Sequence, residues 1–294
     1  MNIGKLGVWA MTETHTAVDA AAFARRVEQW GYGALWIPEA VGRNALVHSA
    51  WLLANTQTLV IATGIANIYA RDAQAMAAAQ RTLAEQSGNR FLLGIGVSHA
   101  PLVEKLRGHI YAKPVETMRN YLDAMGRAMY IAPAPSEKPP TVLAALGPKM
   151  LALSRDHADG AHPYLISPQH TAEARAILGP GKWLCPEQKV MLETDPAKAR
   201  AAGRGLLGRY LTLPNYRNNL LRLGYSETDV SGGGSDRLVD AIIAWGDEAA
   251  IRARIQEHWD AGADHVCIQA ITSASSELPV TDERLLEMLA PGRG

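Results

Sequence analysis

The sequence has 294 residues, of which 48% are hydrophobic, and it carries 29 basic and 29 acidic side chains. This apolar content excludes a disordered chain, and a formal net charge of +0 without a basic run or basic-aromatic patch argues against nucleic acid as a partner. Residues 1–11 contain one Lys and a short apolar run broken by Gly4 and Gly7, which fits neither a signal peptide nor a membrane span. We therefore expect a cytoplasmic protein with no membrane partner.

Cysteine and histidine usage indicates neither a disulfide scaffold nor a metal site. Cys185 and Cys267 are too few for a scaffold and lack metal-type spacing, so we expect buried thiols. The nine histidines are dispersed and form no His-Glu-x-x-His pattern, so no metal is predicted. Nucleophile-elbow and Walker motifs do not occur either, which removes the easily recognised hydrolase and nucleotidase classes.

Short apolar runs alternate with helical segments along the chain, and this order specifies a parallel sheet with helical crossovers. The predicted strands are 3–9, 34–38, 59–65, 91–96, 141–145, 161–165, 188–192 and 265–269. Helix starts are marked by Thr16, Asp72, Pro114, Pro148 and Pro168. Such a repeat closes into a barrel with its site at the carboxyl ends of the strands. We predict an α/β fold, a TIM-type (β/α)8 barrel formed as one domain by residues 1–294, with the insertion at 196–261 on its functional face.

The run Gly94-Ile95-Gly96-Val97-Ser98-His99 follows a predicted strand. It is a poor dinucleotide fingerprint, because His99 occupies the third glycine position. Glycines at a strand end let a flat ring approach the backbone, with Ser98 and His99 displayed beyond it. The alternative is a tight turn without a ligand.

A second strand end carries Leu146-Gly147-Pro148-Lys149. The proline at the first helical position, the free N–H groups and Lys149 could together hold a phosphate. The alternative is an ordinary strand-to-helix turn.

Polar and aromatic residues follow three further predicted strands. Asn67 and Tyr69 would project toward the barrel mouth, although a Tyr there could equally belong to the core. Glu39 ends the second strand and needs a partner if buried, which could be Arg43. His162 and Tyr164 end the sixth strand.

Taken in order, several of these motifs resemble the luciferase-like monooxygenase superfamily over nearly the whole chain. The runs are LWIPE at 35–39, IATGI at 61–65, NRFLLGIG at 89–96, Gly147-Pro148, and AGADHV at 261–266. GIANIYARD at 64–72 and LPNYRNN at 213–219 further resemble an actinobacterial branch of coenzyme F-420-dependent oxidoreductases.

The resemblance implies a barrel that binds a deazaflavin over the strand ends, with its phosphate near the start of an outer helix. It also implies a bulged, non-prolyl cis peptide at Gly64-Ile65 behind the ring. The implied cofactor-binding residues are Gly64, Ile65, Ala66, Asn67, Gly96, Val97, Ser98, Leu146, Gly147, Pro148, Lys149 and His162.

The implied reaction is hydride transfer between coenzyme F-420 and a small organic substrate. Sugar-phosphate dehydrogenases of this family carry His after the acid of the second strand, whereas Ala40 follows Glu39 here. We therefore expect either that His99 carries the proton, with Glu39 orienting a substrate or a histidine, or that the enzyme is a reductase. The expected pocket residues are Trp9, Arg43, Tyr69 and Tyr164.

Three alternatives remain at this point: a flavin mononucleotide (FMN) monooxygenase of the same superfamily, a cofactor-binding barrel without turnover, and an unrelated barrel lyase or isomerase. The resemblance also implies a homodimer. Because barrel loops carry specificity, we expect residues 213–235 to form a lid.

Overall fold

Parallel strands form the centre of the fold. The computed structural model describes residues 1–273 and 280–293. Within them the strands are β1 (Leu6–Trp9), β2 (Ala34–Ile37), β3 (Val60–Thr63), β4 (Ala66–Asn67), β5 (Phe91–Gly96), β6 (Thr141–Leu143), β7 (Gly160–Ala161), β8 (Trp183–Leu184), β9 (Glu187–Leu192), β10 (Ile243–Gly246) and β11 (Val266–Ala270). Their order is β10-β9-β11-β1-β2-β3-β5-β6-β7-β8, with β4 beside β5.

Helices connect these strands and begin at residues that the sequence marks. They are α1 (Ala17–Gln29), α2 (Ala45–Ala54), α3 (Ala73–Gln86), α4 (Pro114–Gly126), α5 (Pro148–His157), α6 (Pro168–Leu178), α7 (Pro196–Leu211), α8 (Pro214–Arg222), α9 (Asp236–Ile242), α10 (Glu248–Asp260) and α11 (Glu283–Met288). The side chains of Thr16 and Asp72 accept backbone N–H groups at the starts of α1 and α3, and prolines open α4 to α8. Over the described ranges, no helix has both the length and the apolar content to cross a bilayer.

The sheet closes because β8 and β9 belong to one run of chain. β8 pairs with β7, and the ladder continues where Cys185 N donates to Ala161 O and Glu187 N donates to Pro163 O. On its other side β9 pairs with β11, which pairs with β1. The predicted α/β barrel is confirmed.

Alternation along the strands separates the barrel interior from its outer layer. Leu35 and Ile37 of β2 pack outward in the large core between sheet and helices, whereas Ala34 and Trp36 pack inside the barrel. The inward cluster also contains the two predicted buried thiols, Cys185 and Cys267.

The sixth predicted strand and the insertion at 196–261 both differ from the structure. The strand predicted at 161–165 is β7, which covers only Gly160–Ala161. It ends there because Pro163 has no N–H to donate and Leu165 has a left-handed φ of 58°. The insertion between β9 and β11 contains β10 in addition to helices, and β10 pairs with residues 189–192 of β9. The insertion therefore extends the sheet itself.

Candidate functional site

The carboxyl ends of the strands meet at a bulge between β3 and β5. Ala62 of β3 lies opposite Leu92 of β5, and Ala66 of β4 lies opposite Ile95. Four residue steps from β3 to β4 therefore face only three along β5. At the gap, the hydroxyl of Thr63 accepts from Gly94 N at 2.9 Å and donates to Gly94 O at 2.7 Å. The peptide bond between Gly64 and Ile65 is cis, so both the bulge and the cis bond implied by the resemblance are present.

Three side chains converge on the bulge. Trp9 Nε1 donates to Gly64 O at 3.0 Å. A Cβ atom on Gly64 would lie 2.8 Å from Trp9 Nε1 and 2.9 Å from His162 Nε2, so glycine is required. A Cβ atom on Gly96 would lie 2.8 Å from Ile65 Cδ1, so Gly96 allows the bulge to pack against β5.

His162 keeps one free acceptor inside the barrel. Its Nδ1 donates to Cys185 O at 2.8 Å, and its ring stacks on Trp36 with centroids 4.4 Å apart. Burial lowers the pKa of His162 to about 4, so the ring is neutral and Nε2 carries a lone pair. Nε2 is buried with no hydrogen-bond partner in the described part of the chain, although buried polar atoms are usually paired.

Glu39 is paired with Arg71, so the expected pair with Arg43 is wrong. The Arg71 guanidinium donates hydrogen bonds to both carboxylate oxygens of Glu39. The same carboxylate accepts hydrogen bonds from the backbone N–H groups of Asn67 at 2.8 Å and Ala45 at 3.3 Å. Arg43 lies four residues from Glu39 but donates to carbonyl oxygens of the loop after β1, including Thr12 O at 3.0 Å. Glu39 thus anchors the chain just after the bulge.

His99 lies under the insertion. Its Nδ1 is 3.1 Å from Asn215 Oδ1 of α8, and its ring lies 5.5 Å from that of Tyr216. Burial lowers the pKa of His99, and the bond to Asn215 opposes this shift. The start of the predicted lid segment therefore lies against a strand-end residue of the barrel.

An ion pair that was not predicted from the sequence lies inside the barrel mouth. Lys189 Nζ lies 3.0 Å from both carboxylate oxygens of Glu187, and the two side chains are 0% and 1% exposed. Burial raises the pKa of Glu187 and lowers that of Lys189. The sequence did contain an indication of this pair. Glu187 and Lys189 alternate in a strand that is covered on both faces, so their side chains must point to the same buried face.

Aromatic side chains cover this pair. Lys189 Nζ lies 3.8 Å from the centroid of the Tyr164 ring, and the Tyr164 hydroxyl is 2.7 Å from the Tyr210 hydroxyl. The rings of Trp9 and Tyr216 lie 5.2 and 6.2 Å from Tyr164. Burial raises the pKa of Tyr164 well above its usual value, so it remains a phenol.

The remaining candidates lie around this group. Gly147 caps α5 with open space where a Cβ would stand, Lys149 is exposed, and Leu146 O is 2.8 Å from His170 Nε2. The Tyr69 ring packs against His109 and does not belong to the group of rings around Trp9 and Tyr164. Val97 is half-buried, and Ser98 has a left-handed φ of 57°.

The site thus joins Trp9, Gly64, His162 and Tyr164 directly, and reaches His99 through Tyr216. Arg43 and Tyr69 lie outside these contacts. A glycine backbone flanked by a free imidazole acceptor suits a flat ring with N–H donors, and the open start of α5 suits an anionic tail.

The chain is similar in sequence to two named proteins. The chain is 26% identical to a Mycobacterium tuberculosis protein provisionally named a coenzyme F-420-dependent oxidoreductase, over 94% of this chain and 96% of that one. It is 25% identical to the 5,10-methylenetetrahydromethanopterin reductase of Methanolobus tindarius, over 84% and 88%.

Solved structures share the fold. An F-420-dependent secondary alcohol dehydrogenase bound to an F-420–acetone adduct superposes with a TM-score of 0.74 at 16% identity, over 92% of this chain and 94% of that one. The FMN-bound oxygenating component of a Pseudomonas putida diketocamphane monooxygenase gives 0.65 at 12% identity, over 90% and 92%. Residues 3–179 match the model of the luciferase-like monooxygenase family, and the chain belongs to that family.

Proposed function

We propose that the protein is an oxidoreductase that transfers hydride between coenzyme F-420 and a small organic substrate. The observation that carries this proposal is the free Nε2 of His162, buried beside the Gly64 backbone. Relatives whose names include coenzyme F-420 support the choice of cofactor. When bound, the deazaflavin supplies a ring carbon that accepts or donates hydride.

The bulge residues 64–67 would hold the ring from one side, with His162 Nε2 accepting a ring N–H. Gly96, Val97 and Ser98 would border the ring or the tail. The phosphate would lie at the start of α5, on Leu146, Gly147, Pro148 and Lys149, because a helix N-terminus attracts anions.

His99 would hold the proton that accompanies the hydride. With Nδ1 bound to Asn215, its Nε2 is the atom that takes or gives the proton. Trp9 and Tyr164 would wall the substrate pocket, with Arg43 and Tyr69 at its rim. Glu39 would act indirectly, through the backbone of Asn67.

Titration with coenzyme F-420 and, separately, with FMN tests the cofactor assignment. We expect fluorescence quenching at micromolar F-420 and weak binding of FMN. His162→Phe, which keeps a ring against Trp36, should bind F-420 about tenfold more weakly, since one hydrogen bond is lost. His265→Phe is the matched control, because His265 is buried next to Trp36 and uses both nitrogens within the protein.

A preference for FMN would make the protein a flavin-dependent monooxygenase, and binding of neither cofactor would reject the proposal. F-420 binding without hydride exchange over a broad substrate panel would indicate a barrel without turnover. Equal F-420 affinity of the two histidine variants would remove the role of His162.

We propose that one-domain barrels spanning residues 1–294 form a homodimer, as the family resemblance implies. We further propose that the protein works in the cytoplasm, since residues 1–11 resemble no signal peptide. Light scattering of the purified protein should give twice the chain mass of 31.7 kDa, and a monomer would contradict the dimer.

A further inference from the structure

The ion pair of Glu187 and Lys189 is an unexpected feature of a barrel interior whose inward cluster consists of apolar and cysteine side chains. Buried ion pairs contribute little net stability, because the cost of removing both charges from water offsets their attraction. In other proteins, apolar residues of similar volume often replace buried ion pairs at no loss of stability. Stability alone therefore does not explain these two residues.

Their contacts lead to one residue of the site. The ammonium of Lys189 lies against the face of the Tyr164 ring, 3.8 Å from its centroid. The Glu187 carboxylate accepts a hydrogen bond of 3.2 Å from the backbone N–H of Leu165, which directly follows Tyr164 in the chain. The pair thus contacts Tyr164 through its ring and fixes the backbone immediately after it.

Tyr164 in turn contacts the residues that surround the bulge. Its ring packs 5.2 Å from Trp9, which donates to Gly64 O. Its hydroxyl donates to Gln269 Oε1 at 2.9 Å and therefore accepts from the Tyr210 hydroxyl at 2.7 Å. The hydroxyl has a fixed direction only while the ring stays in place.

We propose that Glu187 and Lys189 are positioning residues, which hold Tyr164 so that its ring and the Trp9 ring form a rigid wall of the substrate pocket. The inference rests on the proposed function for the identity of the pocket. The ion pair itself touches no substrate and moves no proton. Its loss should misplace the substrate against the hydride carbon, and small misplacements lower the rate steeply.

The test replaces both charges at once, in Glu187→Leu/Lys189→Met. We expect this variant to fold with a lower melting temperature, because Leu165 N loses its acceptor, and to keep the F-420 affinity of the wild type, while kcat falls at least about tenfold. Near-ultraviolet circular dichroism of the cofactor-free protein should change, because the coupled Trp9 and Tyr164 rings lose their fixed geometry. This second readout needs no turnover, so it decides the inference even if the proposed reaction is wrong.

Two further variants make the test specific. In a Tyr164→Leu background the double replacement should cause no additional loss of kcat and no additional spectral change, since the residue it acts on is gone. Arg26→Met/Glu283→Leu, which removes a bidentate pair between α1 and α11, should leave kcat and the spectrum unchanged.

Unchanged kcat and spectrum in a folded Glu187→Leu/Lys189→Met variant would overturn the proposal, as would additive effects with Tyr164→Leu. If the double variant fails to fold, Glu187→Gln replaces it. This change keeps the shape and an acceptor for Leu165 but weakens the hold on Lys189. It should cause the same kind of spectral change to a smaller extent, and a wild-type spectrum would reject the inference.

Discussion

Trp9 on β1 and Gly64 in the bulge after β3 are joined by a hydrogen bond of 3.0 Å from the indole Nε1 to the carbonyl oxygen. Trp9 is 5% exposed, so water cannot readily replace this bond. The bond fixes the first strand end against the backbone that is proposed to support the cofactor ring. Trp9 also contacts Tyr164, so the bulge and the pocket wall share one residue.

Trp9→Phe should therefore weaken both the fold and cofactor binding. Phenylalanine keeps a ring beside Tyr164 but leaves Gly64 O without its donor, and an unsatisfied buried group costs about 1–3 kcal/mol. We expect this loss in the free energy of unfolding from urea titration, together with weaker F-420 binding. Trp51→Phe is the control: Trp51 Nε1 donates to Ala17 O but the side chain is 42% exposed, so we expect a change within about 0.5 kcal/mol. Equal losses in both variants would contradict this account.

Arg71→Met should destabilise the protein by about 3–5 kcal/mol, because it leaves the carboxylate of Glu39 buried without its countercharge. The side chains of Arg71 and Glu39 are 10% and 5% exposed. Lys113→Met breaks an exposed pair with Glu116 and should cost less than about 1 kcal/mol. Chemical unfolding of both variants checks the difference, and a cost below 1 kcal/mol for Arg71→Met would show that the pair is not needed.

The partner of Glu39 illustrates what sequence reasoning reached and what it missed. The order of strands and helices and the helix starts at Thr16 and Asp72 follow from local patterns, whereas the bulge was implied by the family resemblance, and the structure agrees on these points. Arg43 was the nearest cation along the chain, whereas Arg71 reaches Glu39 only because β2 and β3 are neighbours in the sheet. Pairing across strands depends on register, which local spacing does not contain.

The same limit explains the other differences. β10 lies in an insertion rich in helical patterns, and its four residues form a strand only because β9 offers an edge. The Glu187 and Lys189 pair was visible as alternating charge, but the tyrosines that cover it come from the segment after β7 and from α7, which are neighbours only in space. Tertiary contacts, not local sequence, assemble that part of the site.

In the direction in which His99 takes the proton, its pKa should set the acid limb of the pH profile of kcat/KM. Burial lowers its pKa below the usual 6.5 or so, while the hydrogen bond to Asn215 raises it. Asn215→Leu removes this hydrogen bond but keeps a side chain of similar size over His99. The pKa of His99 should therefore fall further, and the acid limb should move to lower pH. His99→Gln should abolish that limb. The rate profile of each variant with F-420 and a substrate found by screening checks this, and an acid limb that persists in His99→Gln would assign the proton to another residue.

His258 should make the protein less stable in acid. Its Nε2 lies 2.8 Å from Gln188 Oε1 and its Nδ1 lies 2.8 Å from Thr171 Oγ1, and burial lowers its pKa to about 3. Because the pKa is higher in the unfolded chain, the unfolded state binds more protons below about pH 6.5, and stability falls as the pH drops.

His258→Gln keeps hydrogen-bonding groups but does not titrate, so its free energy of unfolding should fall by roughly 2 kcal/mol less than that of the wild type between pH 7 and pH 5. Urea unfolding at the two pH values measures both differences. The remaining acid sensitivity should include contributions from His48, His162 and His265, whose pKa values burial lowers to about 4. Equal losses in the wild type and in His258→Gln would mean that His258 is already protonated, or exposed, in the folded protein at pH 5.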